Sequence, residues 1–260
     1  MGLAGLSQLN VELTSRCHRQ TLCAFCFHQA SPDLKFGDMP LSLVRDIRRQ
    51  IPSGIVAQFH RDGDPLTYPH LREALDIFDG CIRSIVTHGE TLAAQADELI
   101  ERCESVTVSV FSPDPDADIQ YESVREFLAE KGDRLPRVLI KVVGEANVSR
   151  YEALGLPIMR RRLHTATNGK YVKSVPMMPE HGVCTDFLSK PAISWEGLVY
   201  QCVRFDDTDA GYLGNLAEQS LEDIWNGPRR QAWLAAHVQG RRDLASPRCA
   251  SCTYYGVPVA

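Results

Sequence analysis

Up to about residue 164, the apolar residues alternate between the period of a β-strand and the period of an α-helix. The strand pattern predicts six strands, at residues 11–13, 55–59, 83–87, 106–111, 138–143 and 156–163. The helix pattern predicts helices between them, at residues 41–50, 69–78, 92–102 and 121–130. Strands that alternate with helices form a parallel sheet, so this part of the chain is expected to have an α/β fold.

The pattern changes after about residue 164. A turn-rich stretch at 167–170 is followed by a predicted β-hairpin over 192–200 and a short helix over 220–226. We therefore expect two units of unequal size, an α/β unit at residues 1–164 and a small cysteine-rich unit at residues 165–260.

Composition and charge exclude several classes of function. The 260 residues carry a net charge of −5, with a pI near 5.9, which gives no electrostatic footprint for nucleic acid or an anionic membrane. No apolar run approaches the roughly twenty residues needed to cross a bilayer. The first residues lack the basic start and apolar centre of a signal peptide, so we expect a cytoplasmic protein with a small-molecule or protein partner. In a reducing compartment, nine cysteines indicate metal binding before disulfides.

Three cysteines follow the first predicted strand. Cys17, Cys23 and Cys26 lie within ten residues, one thiol short of the four ligands of a structural zinc site. A [4Fe–4S] cluster held by three cysteines would leave one iron open to another ligand. The alternative is that these cysteines pack as small apolar residues.

A polar turn follows the second predicted strand and precedes a helix. Asp62, Gly63, Asp64 and Pro65 form it, and its free carbonyls and carboxylates could accept hydrogen bonds from an ammonium group. The alternative is an ordinary connection between a strand and a helix.

Four further cysteines lie in the C-terminal unit: Cys184, Cys202, Cys249 and Cys252. Four thiolates close a site, which can hold zinc or a fully ligated [4Fe–4S] cluster, and their spacing does not decide between the two. The remaining Cys81 and Cys103 are interpreted as core residues.

The cysteine loop resembles that of the radical S-adenosylmethionine (SAM) superfamily. Its C-x5-C-x2-C spacing has two residues more than the usual C-x3-C-x2-C, and Phe25 precedes the last cysteine as in the family. The turn at 62–65 resembles the family's GGEP motif. The resemblance implies a partial (β/α)6 barrel that binds SAM at the carboxyl ends of its strands. The SAM-contacting residues it implies are Phe25, Asp62, Gly63, Asp64, Pro65, Ser109 and Gly144.

The C-terminal unit is similar to the auxiliary-cluster region of SPASM/twitch radical SAM enzymes. Its four cysteines fit one auxiliary cluster, so the resemblance implies two [4Fe–4S] clusters in all. Within the family the chain is most similar to the 2-deoxy-scyllo-inosamine dehydrogenases of aminoglycoside biosynthesis, which oxidise a ring alcohol to a ketone. It departs from them at Asn168-Gly169-Lys170, where they carry Asn-Arg-Gly-Gly.

This resemblance implies a radical SAM oxidoreductase. Reductive cleavage of SAM gives a 5′-deoxyadenosyl radical, which removes hydrogen from a small polar substrate such as a sugar or cyclitol alcohol. The auxiliary cluster then accepts an electron, a base removes a proton, and a flavodoxin or ferredoxin supplies the electron for SAM cleavage. Lys170, His164 and Arg162, one of three successive arginines, are the candidate bases. The alternatives are an epimerase, a peptide-modifying enzyme and a non-catalytic zinc protein.

Overall fold

The computed structural model describes residues 2–19, 22, 23, 26, 35–161, 184–204 and 209–252. The strands in these ranges are β1 (Gln8–Val11), β2 (Val56–Phe59), β3 (Ile82–Thr87), β4 (Ser105–Val110), β5 (Arg137–Val143), β6 (Ile158–Arg161), β7 (Ala192–Ile193), β8 (Leu198–Tyr200) and β9 (Tyr212–Asn215). The α-helices are α1 (Leu41–Gln50), α2 (Leu71–Ile77), α3 (Ala96–Leu99), α4 (Ala117–Lys131), α5 (Ser149–Ala153), α6 (Thr185–Ser189), α7 (Leu221–Trp225), α8 (Pro228–Val238) and α9 (Pro247–Ser251).

All these strands belong to one sheet, in the order β6-β5-β4-β3-β2-β1-β7-β8-β9. Strands β1 to β6 are parallel, and β7 adds to the free side of β1, also in parallel. β7 and β8 pair antiparallel, as predicted for the hairpin over 192–200, and β9, which was not predicted, pairs antiparallel with β8. The predicted α/β fold followed by a small unit with strands and helices is confirmed. The predicted boundary at 164/165 lies outside the described residues and stays a prediction.

The two faces of the parallel strands differ in polarity. One face is apolar and fully buried, and it includes Leu9, Val11, Ala57, Phe59, Ile85, Val106, Val108, Ile140 and Val142. Many of the alternate positions carry polar side chains, namely Gln8, Asn10, Gln58, Ser84, Ser105, Thr107, Ser109 and Lys141, whereas Val56, Val86, Leu139 and Val143 on the same face are apolar. Helices normally cover both faces of a parallel sheet, which makes both apolar. A polar face therefore indicates that this side of the sheet lines a ligand cavity.

The helices follow the prediction with one exception. α1 has the predicted bounds, with Val44 and Ile47 buried. The predicted helix over 92–102 is instead a 3-10 turn at Ala93–Gln95 followed by the four-residue α3. It ends early because the chain turns towards β4 at Glu101, whose φ is +60° and whose amide donates to the Leu135 carbonyl at 3.0 Å. Within the described ranges, no helix is long and apolar enough to cross a membrane.

One buried amide joins β1 to the C-terminal hairpin. The side chain of Asn10 is 1% exposed, and its Nδ2 donates to the carbonyls of Lys190 at 3.3 Å and Pro191 at 3.1 Å. The backbone N–H of Asn10 also donates to Pro191, at 3.0 Å. The side chain thus gives the Lys190 carbonyl a donor that an apolar residue would remove, and it gives the Pro191 carbonyl a second donor.

We predict that Asn10→Leu weakens this junction. Removing a donor from buried carbonyls costs about 1–3 kcal/mol in the free energy of unfolding, measurable by chemical denaturation. The loss is local, so hydrogen exchange at β7 and β8 should speed up more than exchange at β4.

Gln58→Leu is the matched control, because Gln58 lies on the same polar face and its side-chain bond is to Gln8 at 2.8 Å, away from β7. It should leave exchange at residues 192–200 unchanged. A folded Asn10→Leu protein with parental exchange over 192–200 would contradict the assignment.

Candidate functional site

The cysteine loop and the polar turn meet at one edge of the sheet. The loop follows β1 and the turn follows β2, and the carboxyl ends of adjacent parallel strands lie side by side. The amide of Asp64 donates to the Arg16 carbonyl at 2.9 Å, and the Thr67 hydroxyl donates to the same carbonyl at 3.0 Å. Two separate sequence motifs thus form one continuous site.

Gly63 permits this close approach. A Cβ added at position 63 would lie 2.3 Å from the Thr14 carbonyl oxygen and 2.6 Å from that of Arg16. These are backbone atoms that a flexible side chain cannot relieve. The structure therefore gives the glycine of the motif a packing role, and its predicted contact with SAM stays a prediction.

Asp64 ties the turn to the end of the third strand. Its two carboxylate oxygens accept from the Thr87 hydroxyl at 2.8 and 2.9 Å, and one of them accepts from the His88 amide at 3.0 Å. The carboxylate is buried and also caps the turn through the Leu66 amide at 3.0 Å. Asp64 therefore fixes the relative positions of three strand ends, and its predicted contact with a cofactor amino group stays a prediction.

The three cysteines of the loop lie close to one another. Burial raises the pKa of the Cys17 thiol to about 12, and the charges of Asp64, Cys23 and Cys26 add to this increase. Burial raises the pKa of Cys23 to about 11. A turn closed by the Cys26 amide and the Cys23 carbonyl at 2.9 Å brings the last two together. Three soft thiolate ligands with no fourth cysteine in the loop suit an iron–sulfur cluster with one open iron.

A buried arginine anchors the lengthened part of this loop. Arg19 lies between Cys17 and Cys23, and its side chain is 0% exposed. The guanidinium donates to Glu90 at 2.9 Å, to Asp116 at 2.6 Å and to Asp114. Burial alone would lower the pKa of Arg19, but the bonds to Glu90 and Asp116 and the charge of Asp114 outweigh it, so the pKa is raised.

Two histidines extend this network. The Nε2 of His88 lies 2.8 Å from Asp114, and the Nε2 of His18 lies 3.1 Å from Glu90. Burial lowers the pKa of His88. For Asp114, burial raises the pKa, but the hydrogen bond from His88 and the charge of Arg19 leave it below its usual range. The cysteine loop is thus held to the ends of β3 and β4 by charged groups.

Sequence analysis missed this network, although one signal was available. Glu90, Asp114 and Asp116 all follow strands of the predicted parallel sheet, at the edge where the loop with Arg19 also lies. A basic residue in the insertion and three acidic residues at the same edge would have predicted ion pairing.

The other predicted contacts with SAM lie at the same edge or outside the described residues. Ser109 is on the polar face of β4, in register with Lys141 on β5, a residue the sequence analysis did not single out. Gly144 follows β5 with φ of +78°, a conformation that favours glycine. Phe25, Arg162, His164 and Lys170 lie outside the described residues. Arg160, the first of the three arginines, is exposed beside Glu152 at 3.7 Å.

The four C-terminal cysteines line one cavity. They come from three chain segments, since Cys184 precedes α6, Cys202 follows β8, and Cys249 and Cys252 lie in and just after α9. The other residues of the cavity wall are Asp186, Phe187, Gln201, Arg204 and Arg248. Burial raises the pKa of Cys202, and it raises that of Cys249 to about 11. Four thiols around one cavity fit a closed cluster, whereas among the described residues no group of three or more Cys, His, Asp or Glu side chains is arranged to hold a single metal ion.

Two buried side chains contact the sulfur of Cys249. The Nε2 of Gln201 lies 3.3 Å from this sulfur, and the Nε2 of His237 lies 3.4 Å from it. The ring of His237 stacks on Phe187, with 4.3 Å between the ring centroids and an interplanar angle of 26°. Burial lowers the pKa of His237 to about 4, so the ring is neutral at neutral pH. Neither residue was predicted from the sequence.

A buried ion pair joins the turn at 62–65 to the C-terminal unit. Arg61 donates to Glu12 at 3.0 Å and lies 3.1 Å from Asp62. Its guanidinium lies 4.4 Å from the ring centroid of Tyr200, two residues before Cys202. The Glu12 carboxylate also accepts from the amide of Asp62, at 3.2 Å, and from that of Trp195, at 3.2 Å, in the connection between β7 and β8. The two cysteine sites are therefore parts of one packed structure.

Comparison with known proteins supports the C-terminal site. Residues 184–253, about a quarter of the chain, match the model of the SPASM family, an iron–sulfur cluster-binding domain. Curated protein sequences give no match.

Three solved structures have a similar fold. The structure of BtrN with AdoMet and 2-DOIA aligns with a TM-score of 0.66 at 19% identity, over 98% of this chain and 95% of that one. Streptococcus suis SuiB bound to S-adenosylmethionine aligns at 0.65 and 14%, over 95% and 70%. Native anSMEcpe with bound AdoMet aligns at 0.63 and 14%, over 86% and 82%. The predicted resemblance to SPASM/twitch radical SAM enzymes is confirmed for the fold and for the C-terminal iron–sulfur segment.

We predict that Arg19→Met releases the first cysteine loop. Three carboxylates would lose their common cation, and breaking a buried ion pair costs about 3–5 kcal/mol. If each site holds a four-iron cluster, anaerobically purified protein should lose about four irons per chain, those of the first site, and keep about four. Iron analysis together with Mössbauer spectroscopy would measure this loss.

Arg16→Met is the matched control. Arg16 lies in the same loop, but its side chain is 56% exposed and pairs with Asp38 at the surface, so its loss should leave the iron content unchanged. Parental iron content in Arg19→Met would show that the loop does not need the buried cation.

Proposed function

We propose that this chain is a radical SAM oxidoreductase that oxidises an alcohol of a small polar substrate, a sugar or a cyclitol, to a ketone. The observation that carries the proposal is the pair of cysteine sites in one sheet, one with three thiols beside the polar turn and one closed by four. An open site suits a reacting ligand, and a closed site suits electron transfer, which needs no ligand exchange.

When bound, SAM and two [4Fe–4S] clusters would supply a radical that takes one hydrogen atom and a site that accepts one electron, so that loss of one proton completes a two-electron oxidation. In our proposal Cys17, Cys23 and Cys26 hold the first cluster, and Cys184, Cys202, Cys249 and Cys252 hold the second. Phe25, Asp62, Gly63, Asp64, Pro65, Ser109 and Gly144 bind SAM. A low-potential flavodoxin or ferredoxin supplies the electron that starts the reaction.

The polar face of the sheet is the proposed substrate surface. Gln8, Gln58 and Lys141 offer amide and ammonium groups there, which are suitable partners for hydroxyl groups. Lys170 is the base we propose, with His164 and Arg162 as alternatives. Lys141 joins them, because it lies on the polar face in register with Ser109. A lysine needs a lowered pKa to act as a base, whereas an arginine stays protonated in proteins.

A small-molecule substrate is favoured over a peptide. The chain covers 95% of BtrN, whose structure contains 2-DOIA, but 70% of SuiB, which was also crystallised with the precursor peptide SuiA. The likeness to BtrN supports a reaction of the former kind. Peptide modification remains the second candidate, since anSMEcpe with a bound Cp18Cys peptide also shares the fold.

The positions of the two remaining cysteines argue against an epimerase that uses them. Such an enzyme needs a thiol that returns a hydrogen atom to the substrate. Cys81 and Cys103 immediately precede β3 and β4 and are buried in the apolar core. They therefore lie at the amino ends of the strands, and the cysteine loop lies at the carboxyl ends.

We predict that anaerobically purified protein contains about eight irons and eight sulfides per chain, if each site holds a four-iron cluster. Cys17→Ser should lose about four of these irons and abolish reductive cleavage of SAM, measured as release of 5′-deoxyadenosine. Cys81→Ser is the matched control, because Cys81 lies outside both sites.

Two outcomes would contradict this prediction in different ways. Colourless protein with stoichiometric zinc would end the radical SAM proposal. Full SAM cleavage by Cys17→Ser would overturn only the ligand assignment and would make His18 the next candidate.

We predict that the second site decides the product. Cys202→Ser and Cys249→Ser should still cleave SAM but form no ketone, because the electron has no acceptor. The substrates are cyclitol and sugar alcohols deuterated at the carbinol carbon, beginning with 2-deoxy-scyllo-inosamine. Mass spectrometry should find deuterium in 5′-deoxyadenosine and, with the parent protein alone, a new carbonyl.

Loss of metal can unfold a small cysteine-rich unit, so each variant must first show a parental far-UV spectrum and the iron of the first site. Ketone formed at the parental yield by a variant that lacks the second cluster would reduce that cluster to a scaffold. Absence of deuterium transfer from every alcohol tested would overturn the proposed substrate class.

A further inference from the structure

The sulfur of Cys249 has buried nitrogen atoms beside it. Its sulfur has two nitrogen neighbours, Gln201 Nε2 at 3.3 Å and His237 Nε2 at 3.4 Å. Their residues are 3% and 0% exposed, so water does not compete for these contacts. A thiolate has no proton to give, so both nitrogens must donate to it once Cys249 is a ligand. For His237 this requires the tautomer with hydrogen on Nε2.

Both donors are held in place by secondary structure. Gln201 follows β8, and its amide donates to the Gly211 carbonyl at 3.0 Å. His237 lies in the last turn of α8, and its ring stacks on Phe187 of α6. The helix of Cys249 begins at Ser246, whose hydroxyl accepts from the Cys249 amide at 3.2 Å. The donors and the sulfur thus lie in or next to hydrogen-bonded strands and helices.

The charged side chains around the same cavity also influence the reduction potential of a cluster bound there. Arg204 and Arg248 line it, and Asp186 is the one carboxylate among its described lining residues. Asp186 lies 3.8 Å from Arg204. An added electron makes the ligand sulfurs more negative, so N–H donors and nearby cations stabilise the reduced state more than the oxidised state. The two N–H donors and the two arginines therefore raise the reduction potential of a cluster in this cavity.

We propose that Gln201 and His237 are positioning residues that, by donating to the sulfur of Cys249, raise the reduction potential of the second cluster and so make it able to accept an electron. This inference rests on the proposed function only in requiring a cluster at the four cysteines. It concerns residues outside the cysteine motif, one of them on a helix that carries no ligand.

The test measures a potential and not an activity. In protein with Cys17, Cys23 and Cys26 all changed to serine, only the second cluster remains, and its one-electron reduction can be followed by EPR in a redox titration. His237→Phe keeps a flat ring against Phe187 but has no N–H, and Gln201→Met keeps the length of the side chain without a donor. Each should lower the equilibrium constant for reduction about tenfold, which is 59 mV for one electron.

The matched controls are His70→Phe and Gln219→Met, the same substitutions at exposed positions of the surface. They should leave the potential unchanged. Gln201→Glu replaces the donor by a negative charge and should lower the potential further than Gln201→Met. A merely structural role would alter iron content or stability while the potential of the remaining cluster stayed the same.

The outcomes separate this inference from the proposed function. No iron in the triple-serine protein would mean that the second site holds no cluster, and both would fail. A retained cluster with parental potential in both His237→Phe and Gln201→Met would overturn the inference alone. If these variants lose iron, pulsed EPR on unsubstituted protein labelled with ¹⁵N-histidine tests the role of His237 instead. A hydrogen bond from His237 to the sulfur of Cys249 requires a weak coupling between the histidine nitrogen and the cluster. Absence of that coupling would overturn the role of His237.

Discussion

The first cysteine site depends on the burial of one cation. A guanidinium removed from water costs several kcal/mol unless carboxylates surround it, and Arg19 has three of them at the ends of β3 and β4. These contacts explain how the loop accommodates two residues more than the usual spacing. The additional length between Cys17 and Cys23 is bound to the sheet, so the loop can be longer and still hold its sulfurs together.

The position of β1 then connects this site with the second one. β1 has β2 on one side and β7 on the other, so the turn at 62–65 and the hairpin before Cys202 flank the same strand. Glu12, just beyond β1, receives Arg61 from one side and the Trp195 amide from the other. Buried polar contacts therefore link the α/β unit to the C-terminal unit.

Local patterns predicted most of the elements, and long-range contacts explain what they missed. The bounds of α1 and the positions of β2 to β6 follow from periodicity, because each depends on residues close in sequence. The cysteines were found by their spacing for the same reason. The pairing of β1 with β7 joins residues about 180 positions apart, and no periodicity encodes it. His237 was missed because one histidine on an amphipathic helix has no sequence signature until α8 packs against α6.

The charged groups around the two sites would shift the reduction potential of a bound cluster in opposite directions. Asp64, Glu90, Asp114 and Asp116 lie around the first loop, and Arg19 is the shared cation of the last three. Negative charge disfavours an added electron, which makes a cluster there a stronger reductant. Among the described residues that line the second site, two arginines, Arg204 and Arg248, and two N–H donors outnumber the one carboxylate. Under the proposed function, these groups would favour giving an electron at the first site and taking one at the second.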